Sequence, residues 1–541
     1  MNLKFTELTR PRTNSDIKNL NDLQINKGSD TFDTELPGNH TAKNRYITVL
    51  ITSIALTASG MITALSMPGF NVSTIAWFGF IPLIATITLE KSLNKSLFYS
   101  FLFGLGFYGV SLSWFLALHP LNWLGFNAFQ SYLVSTGIWL AVTAYLSCYV
   151  ILFGLTVRIF TNLKSGNIVK SAIISLCWVF IMNKLTSIGP FAFPWALIEY
   201  SQYKNLNLLQ MAQYIGGIGI GFLIMFFNCN LSFLIVDVLE RVQPLVLFLF
   251  NITGLLTFIL IFHAAGNLIL HSDFSYKTAF ASTVIQNYSR LEDKQKNLSN
   301  MENTKKYFIN QINISPSGLI VLPEAAIDDF IRSNDKKFYQ KLCNISKFQN
   351  KTLVIGALDF DKDRLGKLRP TNSAIITDKN LKQGSVYNKQ FLVPFGEYLP
   401  FREYIPFYKF INSPAGTDFY PGSDPKVIKT SIGKIAPTIC YEIVFPDLIK
   451  KQIRNNADIL VNLSSLCWYH DSIIKDQFIA FGVMRAAEFR KPFIIAVNTG
   501  YSALIDYNGK IIKKLPKNVT TTETVKLNYK NEKTFYSKLP F

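Results

Sequence analysis

Three side chains in the second half of the chain have the types that a covalent, thiol-based reaction needs. Cys440 closes the run KIAPTIC (434–440) and is followed at once by Tyr441 and Glu442, with Pro446 barring a long regular continuation. Glu324 ends GLIVLPE (318–324), and Lys389 sits in YNKQFLVPFGEYLPF (387–401). A thiol is a weak nucleophile until it loses its proton; an unperturbed cysteine has a pKa of about 8.5, so only a few per cent is thiolate near neutrality. A working site needs a base, for which Glu324 is the candidate, and a cation beside the developing negative charge, for which Lys389 is. Taken singly the signals are weak. A cysteine after a strand is usually a small buried hydrophobe, and a lone Glu or Lys at a strand end is usually a solvated cap.

Positioning the three requires a sheet. The last 271 residues alternate short apolar runs with polar, helix-compatible stretches: GLIVL (318–322), TLVIGAL (352–358), KIAPTI (434–439), DILVNL (458–463) and FIIAV (493–497). Such runs suit strands buried on both faces, hence a layered α/β domain. Several end on polar groups: Glu324 after the first, Cys440, Tyr441 and Glu442 after the third, Asn462 and Ser464 at the fourth, and Asn498 after the fifth. Sites in open α/β sheets form at the carboxyl ends of strands.

The first half is of a different kind. The 541 residues are 49% apolar and 14% aromatic, and 16% are charged, against about 25% in an average soluble protein. The apolar residues concentrate in seven stretches near 46–66, 72–89, 97–118, 130–157, 169–189, 208–236 and 243–270, each close to the ~20 residues that cross a bilayer core. Gly216, Gly217, Gly219 and Gly221 in the sixth suit close helix packing. Residues 1–43, rich in Asn, Asp, Thr and Lys, read as a disordered tail. The expected organisation is therefore a tail over 1–43, a membrane domain over 44–270 and an exported catalytic domain over 271–541.

Lys43, Arg45, Lys91, Lys95, Arg158, Lys164, Lys170 and Arg241 gather in loops on one side, and only Lys204 and Lys184 lie on the other. By the positive-inside bias the tail faces the cytoplasm, and seven crossings place everything after residue 270 outside it. The net charge of +19 does not signal nucleic acid. Residues 271–541 hold 39 Lys and Arg against 25 Asp and Glu, spread without a stacking platform, and such an excess is attracted to an anionic lipid surface. Aromatics and turn formers in FREYIPFYKFINSPAGTDFY (401–420) suggest a mobile arm at the membrane interface. No cysteine spacing resembles a zinc site.

The order Glu324, Lys389, Cys440 resembles the Glu-Lys-Cys triad of the nitrilase, or carbon-nitrogen hydrolase, superfamily. The flanking words YNKQFLVPFGEYLPF, DFYPG, ICYE and MRAAEFRKPFIIAVNTGYSALID, with SWFLALHP and FPWALIEYSQ in the membrane half, resemble the bacterial apolipoprotein N-acyltransferases over roughly residues 46–536. That resemblance implies an αββα sandwich behind the membrane helices, in the inner membrane with its catalytic domain in the periplasm. It implies a phospholipid donor, a thioester on Cys440, an apolipoprotein acceptor, no cofactor and a monomer. Glu324 would serve as acid and base, and Lys389 with the Tyr441 N–H as oxyanion donors. Glu397 and Glu442 would be supporting residues. Ser465, Leu466, His470 and Gln295 depart from the family pattern, and the chain ends at Phe541, where relatives carry a further helix. A membrane-tethered amidase is the alternative reading, and a catalytically inactive lipoprotein scaffold a second.

Overall fold

The computed structural model describes residues 38–272, 278–288, 301–404 and 418–540. The tail expected over 1–43 lies almost wholly outside them, as does 405–417, most of the expected arm. The chain forms two compact units, Met1–Leu50 and Ile51–Phe541. Among the described residues the first contributes only the opening turns of a helix, and the second holds the membrane helices and both sheets.

The membrane half consists of α1 (Gly38–Ala64), α2 (Ile81–Leu89), α3 (Leu93–Ser111), α4 (Ala128–Thr161), α5 (Asn167–Asn183), a four-residue α6 (Leu206–Leu209), α7 (Ala212–Leu239) and α8 (Leu245–Ser272). Among the described residues five helical segments are long and apolar enough to cross a membrane: Arg45–Ala64, Ala128–Thr161, Asn167–Ser187, Ala212–Leu239 and Leu245–Ser272. The stretch expected near 72–89 is instead a 3₁₀ turn, Ser73–Trp77, followed by the short α2. Asn228 of α7 satisfies that break, accepting from the Phe80 N–H at 3.0 Å and donating to the Ala76 carbonyl at 3.0 Å. The third falls in α3, 19 residues long with Lys95 in its first turn. Gly216 bends α7 at φ 68°. A Cβ there would also sit 2.4 Å from the Tyr536 ring, so only glycine meets both demands. On α8, Val246, Phe250, Leu260 and Leu268 are exposed, a pattern suited to lipid rather than water.

The second half is a four-layer sandwich. In chain order come β1 (Thr278–Gln286), α9 (Met301–Ile314), β2 (Leu319–Val321), α10 (Lys336–Phe348), β3 (Thr352–Lys362), β4 (Leu368–Thr377), β5 (Ser385–Asn388), β6 (Ile428–Lys429), β7 (Lys434–Ile439), α11 (Pro446–Arg454), β8 (Ile459–Ser464), α12 (Ile474–Phe489), β9 (Phe493–Val497), β10 (Ala503–Ile505), β11 (Ile511–Lys514), β12 (Thr521–Tyr529) and α13 (Phe535–Lys538). One sheet runs β12-β1-β2-β3-β4-β5 and the other β11-β10-β9-β8-β7-β6. Their facing sides, with Val284, Val321, Val354 and Ile376 opposite Ile435, Val461, Leu463 and Ala496, form one apolar core. Helices α9 and α10 cover the outside of the first sheet through Phe308, Ile312, Leu342 and Ile345.

The outside of the second sheet is covered by α11 and α12, and these pack on the membrane helices as well. Every residue of α12 except Asp476 is buried, its polar side chains included, as befits a helix packed on two sides. Trp195, Tyr200 and Ile224 of the membrane half share one core with Phe478, Phe481, Met484 and Ile495. Polar seams fix the junction. Gln477 of α12 accepts from the Trp195 indole at 2.7 Å and donates to the Ser111 carbonyl at 3.0 Å.

Candidate active site

Strands β1, β2 and β3 are mutually parallel, as are β7, β8 and β9, and the polar strand ends of the two sheets converge. Cys440 begins a 3₁₀ turn directly after β7 and holds φ 50°, a left-handed conformation unusual for a side chain. Such strain costs of order 1–3 kcal/mol and persists only where surrounding contacts impose it. Glu442 supplies them. Its carboxylate accepts from the Ile439 N–H at 2.7 Å, the Gln390 N–H at 2.6 Å, the Phe391 N–H at 3.2 Å and the Tyr387 hydroxyl at 2.9 Å. One carboxylate thus ties the thiol turn to the Lys389 turn. Burial pushes Glu442 up to about 7, against the pull of those backbone N–H groups.

Lys389, directly after β5, is fully buried. Its Nζ lies 2.9 Å from Glu397 Oε2 and 3.4 Å from Glu324 Oε1. Burial works against its charge, but Glu397 and Glu324 outweigh it, and the lysine pKa is raised. Asn372 of β4 donates from Nδ2 to Glu324 Oε1 at 2.7 Å and to Glu397 Oε1 at 2.8 Å. Both side-chain contacts of Glu324 therefore fall on Oε1, leaving Oε2 without a hydrogen bond among the described residues. The Glu324 turn, with Ala325 at φ 45°, lies against Gly356 of β3. A Cβ there would stand 2.2 Å from the Pro323 carbonyl oxygen and 2.7 Å from Glu324 Cα.

The Cys440 thiol is pushed up, first by burial and then by the Glu324 charge, with Lys389 and the Ser465 backbone N–H pulling the other way. It rests protonated, and a thiolate forms there only if a base takes the proton. Asn462 donates to the Cys440 carbonyl at 3.2 Å, and Asn498 to the Ser465 hydroxyl at 2.9 Å and the Glu324 carbonyl at 3.4 Å. Tyr441 points away from this group: its hydroxyl donates to the Ala192 carbonyl, and its ring stacks with Phe193 and Trp195 at 6.2 and 6.3 Å. All six cysteines are free. No cluster able to hold a metal occurs among the described residues.

The structure thus brings Glu324, Lys389, Glu397 and Cys440 together, with Glu442 holding the two turns and Tyr441 at the membrane seam. Sequence reasoning missed Asn372, a polar residue inside a strand, and Tyr387, the second anchor of Glu442. The alternation TNSAII that would place Asn372 and Ala374 on one face was the available signal.

Two stacked six-stranded sheets flanked by helices make this a carbon-nitrogen hydrolase fold, and residues 282–533 match the carbon-nitrogen hydrolase family. Residues 59–230 match the apolipoprotein N-acyltransferase N-terminal domain. The apolipoprotein N-acyltransferase of Geobacter metallireducens is 27% identical over 477 residues, 84% of this chain and 85% of that protein. That of Haemophilus influenzae is 28% identical over 517 residues, 92% of each. Saccharomyces cerevisiae Nit3, described as a member of branch 10 of the nitrilase superfamily, aligns at 18% identity with a TM-score of 0.36, over 47% of this chain and 91% of that one. The chain belongs to the apolipoprotein N-acyltransferase family, within the nitrilase superfamily.

Proposed function

We propose that this apolipoprotein N-acyltransferase works through a thioester on Cys440, with Glu324 as the proton carrier and Lys389 as the oxyanion partner. Glu324 takes the proton from Sγ, and the thiolate attacks the ester carbonyl of a phospholipid. The tetrahedral oxyanion is met by Lys389 Nζ and the Tyr441 backbone N–H. Its collapse breaks the ester bond, Glu324 returns the proton to the departing glycerol oxygen, and a lysophospholipid leaves. The α-amino group of a diacylglyceryl-cysteine then attacks the thioester and gives a proton to Glu324. An amide forms, and Cys440 departs as thiolate and is reprotonated.

The observation that carries this reading is the shared contact of Lys389 and Asn372 on Glu324 Oε1, which leaves Oε2 for the thiol proton. Glu397 positions Lys389, and Glu442 positions the turn. Both lipid substrates reach the site from the bilayer, in keeping with a catalytic half packed on membrane helices. We place the protein in the inner membrane, with the tail in the cytoplasm and residues 271–541 in the periplasm on the Lys and Arg bias of the loops. Incubation with acyl-labelled phospholipid tests the chemistry: an adduct discharged by an apolipoprotein peptide supports it, and ammonia release from small amides without an adduct supports the amidase instead. Alkaline phosphatase fused after Phe541 should be active, and a dark fusion would contradict the orientation.

A further inference from the structure

Beside the thiol turn lies a cavity of about 420 Å³ between the two halves of the molecule, walled by Pro190 and Ala192 on the membrane side and by Gln390, Phe391 and Tyr441 on the other. Its charged lining residues are Arg369, at the start of β4, and Asp418. Asp418 is already neutralised, since Arg402 grips both its oxygens at 2.7 Å. The Arg369 side chain makes no hydrogen bond or ion pair among the described residues. Its cross-strand neighbour Asp361 accepts from Asn388 at 2.8 Å instead. A half-buried guanidinium held in a cavity without a carboxylate of its own is suited to a bidentate anion.

The rim adds a second, independent feature. Phe191, Phe395 and Phe401 are 41%, 58% and 55% exposed, and Phe191 lies 6.2 and 5.9 Å from the other two rings. They stand next to the cavity residues Pro190, Ala192 and Pro394. An anion seat opening onto an apolar rim fits a phosphate carried on an acyl chain better than free phosphate.

Resting on the thioester reading above, we infer that this cavity seats the phosphodiester of the donor lipid, with Arg369 as its binding residue and the Phe191, Phe395 and Phe401 rim against the chain. The acceptor's diacylglyceryl-cysteine has no phosphate, so Arg369 serves the first half-reaction only.

The test compares two donors on the full-length protein: an acyl-labelled phospholipid, and p-nitrophenyl palmitate, which carries no phosphate. Arg369→Gln is expected to slow loading from phospholipid by about 10- to 100-fold, the size of one charge-assisted contact. Loading from the ester and discharge to an apolipoprotein peptide should stay unchanged, and Arg369→Lys should recover part of the loss. Excess inorganic phosphate should leave loading as it was. Equal loss with both donors, slowed discharge, or unimpaired phospholipid loading overturns the assignment, and so does a block of phospholipid loading by excess inorganic phosphate. If the wild-type protein loads from neither donor, the thioester reading itself fails.

Discussion

Glu397 Oε2 stands 2.9 Å from Lys389 Nζ, closer than the 3.4 Å between that nitrogen and Glu324 Oε1. The lysine charge is therefore held chiefly by a carboxylate outside the proton path, and Glu324 is left freer to act as base. Glu397→Gln should let Lys389 pair more closely with Glu324, slowing loading by about 10-fold or more, as when an electrostatic partner is removed. Single-turnover loading with labelled lipid reads this, and an unchanged rate would assign Glu397 to structure alone.

The raised Cys440 pKa gives a pH prediction of definite sign. Burial and the Glu324 charge favour the thiol, so the thiolate fraction at pH 7 to 8 lies below that of a free cysteine, whose pKa is about 8.5. Iodoacetamide labelling of the Cys440 peptide, followed by mass spectrometry, should lag a model peptide and climb only in alkali. Saturation at pH 6 would show a preformed thiolate and contradict the need for a base.

Gly356 has no room for a methyl group, because a Cβ would press on the Pro323 oxygen at 2.2 Å. Gly356→Ala should displace the Glu324 turn, and a shift of ~1 Å near reacting groups costs about 100-fold in rate. Far-ultraviolet circular dichroism should stay near wild type while loading collapses. Loading within a factor of two of wild type would mean the turn tolerates displacement.

Glu442 is pushed up to about 7 by burial, from 4.5. A carboxyl with a raised folded pKa contributes stability that is fully present below its unfolded pKa and is lost as pH rises through the folded one. The wild-type protein should thus lose part of its thermal stability between about pH 4.5 and 7, and Glu442→Gln should flatten that slope. Equal slopes in both proteins would show that Glu442 does not titrate there.

The junction between the halves is the part of the fold least legible in the sequence. Cys440 and Glu324 stood out because each follows a short apolar run, and runs of that kind are strands whose ends converge; Lys389 stood out only through the words around it, YNKQFLVPFGEYLPF. Gln477 carried no such mark: beside Lys475 and Asp476 it reads as a surface residue, yet it bonds Trp195, 282 positions away. The break before α2 was hidden for the same reason, since its partner Asn228 lies 148 positions from Phe80. Local periodicity does not encode such pairs. Gln477→Leu should strand the Trp195 indole and the Ser111 carbonyl, destabilising by about 1–3 kcal/mol for each buried group left unpaired. A melting temperature equal to wild type would place the strength of the junction elsewhere.

The central claim is a thioester at Cys440 made with the help of Glu324, and its most direct measurement is the mass of the Cys440 peptide after exposure to phospholipid without acceptor. The wild-type peptide should gain one acyl chain, removable by neutral hydroxylamine. Glu324→Gln and Lys389→Ala should gain little or none within the same time, and Cys440→Ala should gain none while still folding in the membrane. An acyl chain found on another residue, or full Cys440 acylation in Glu324→Gln, would contradict the account.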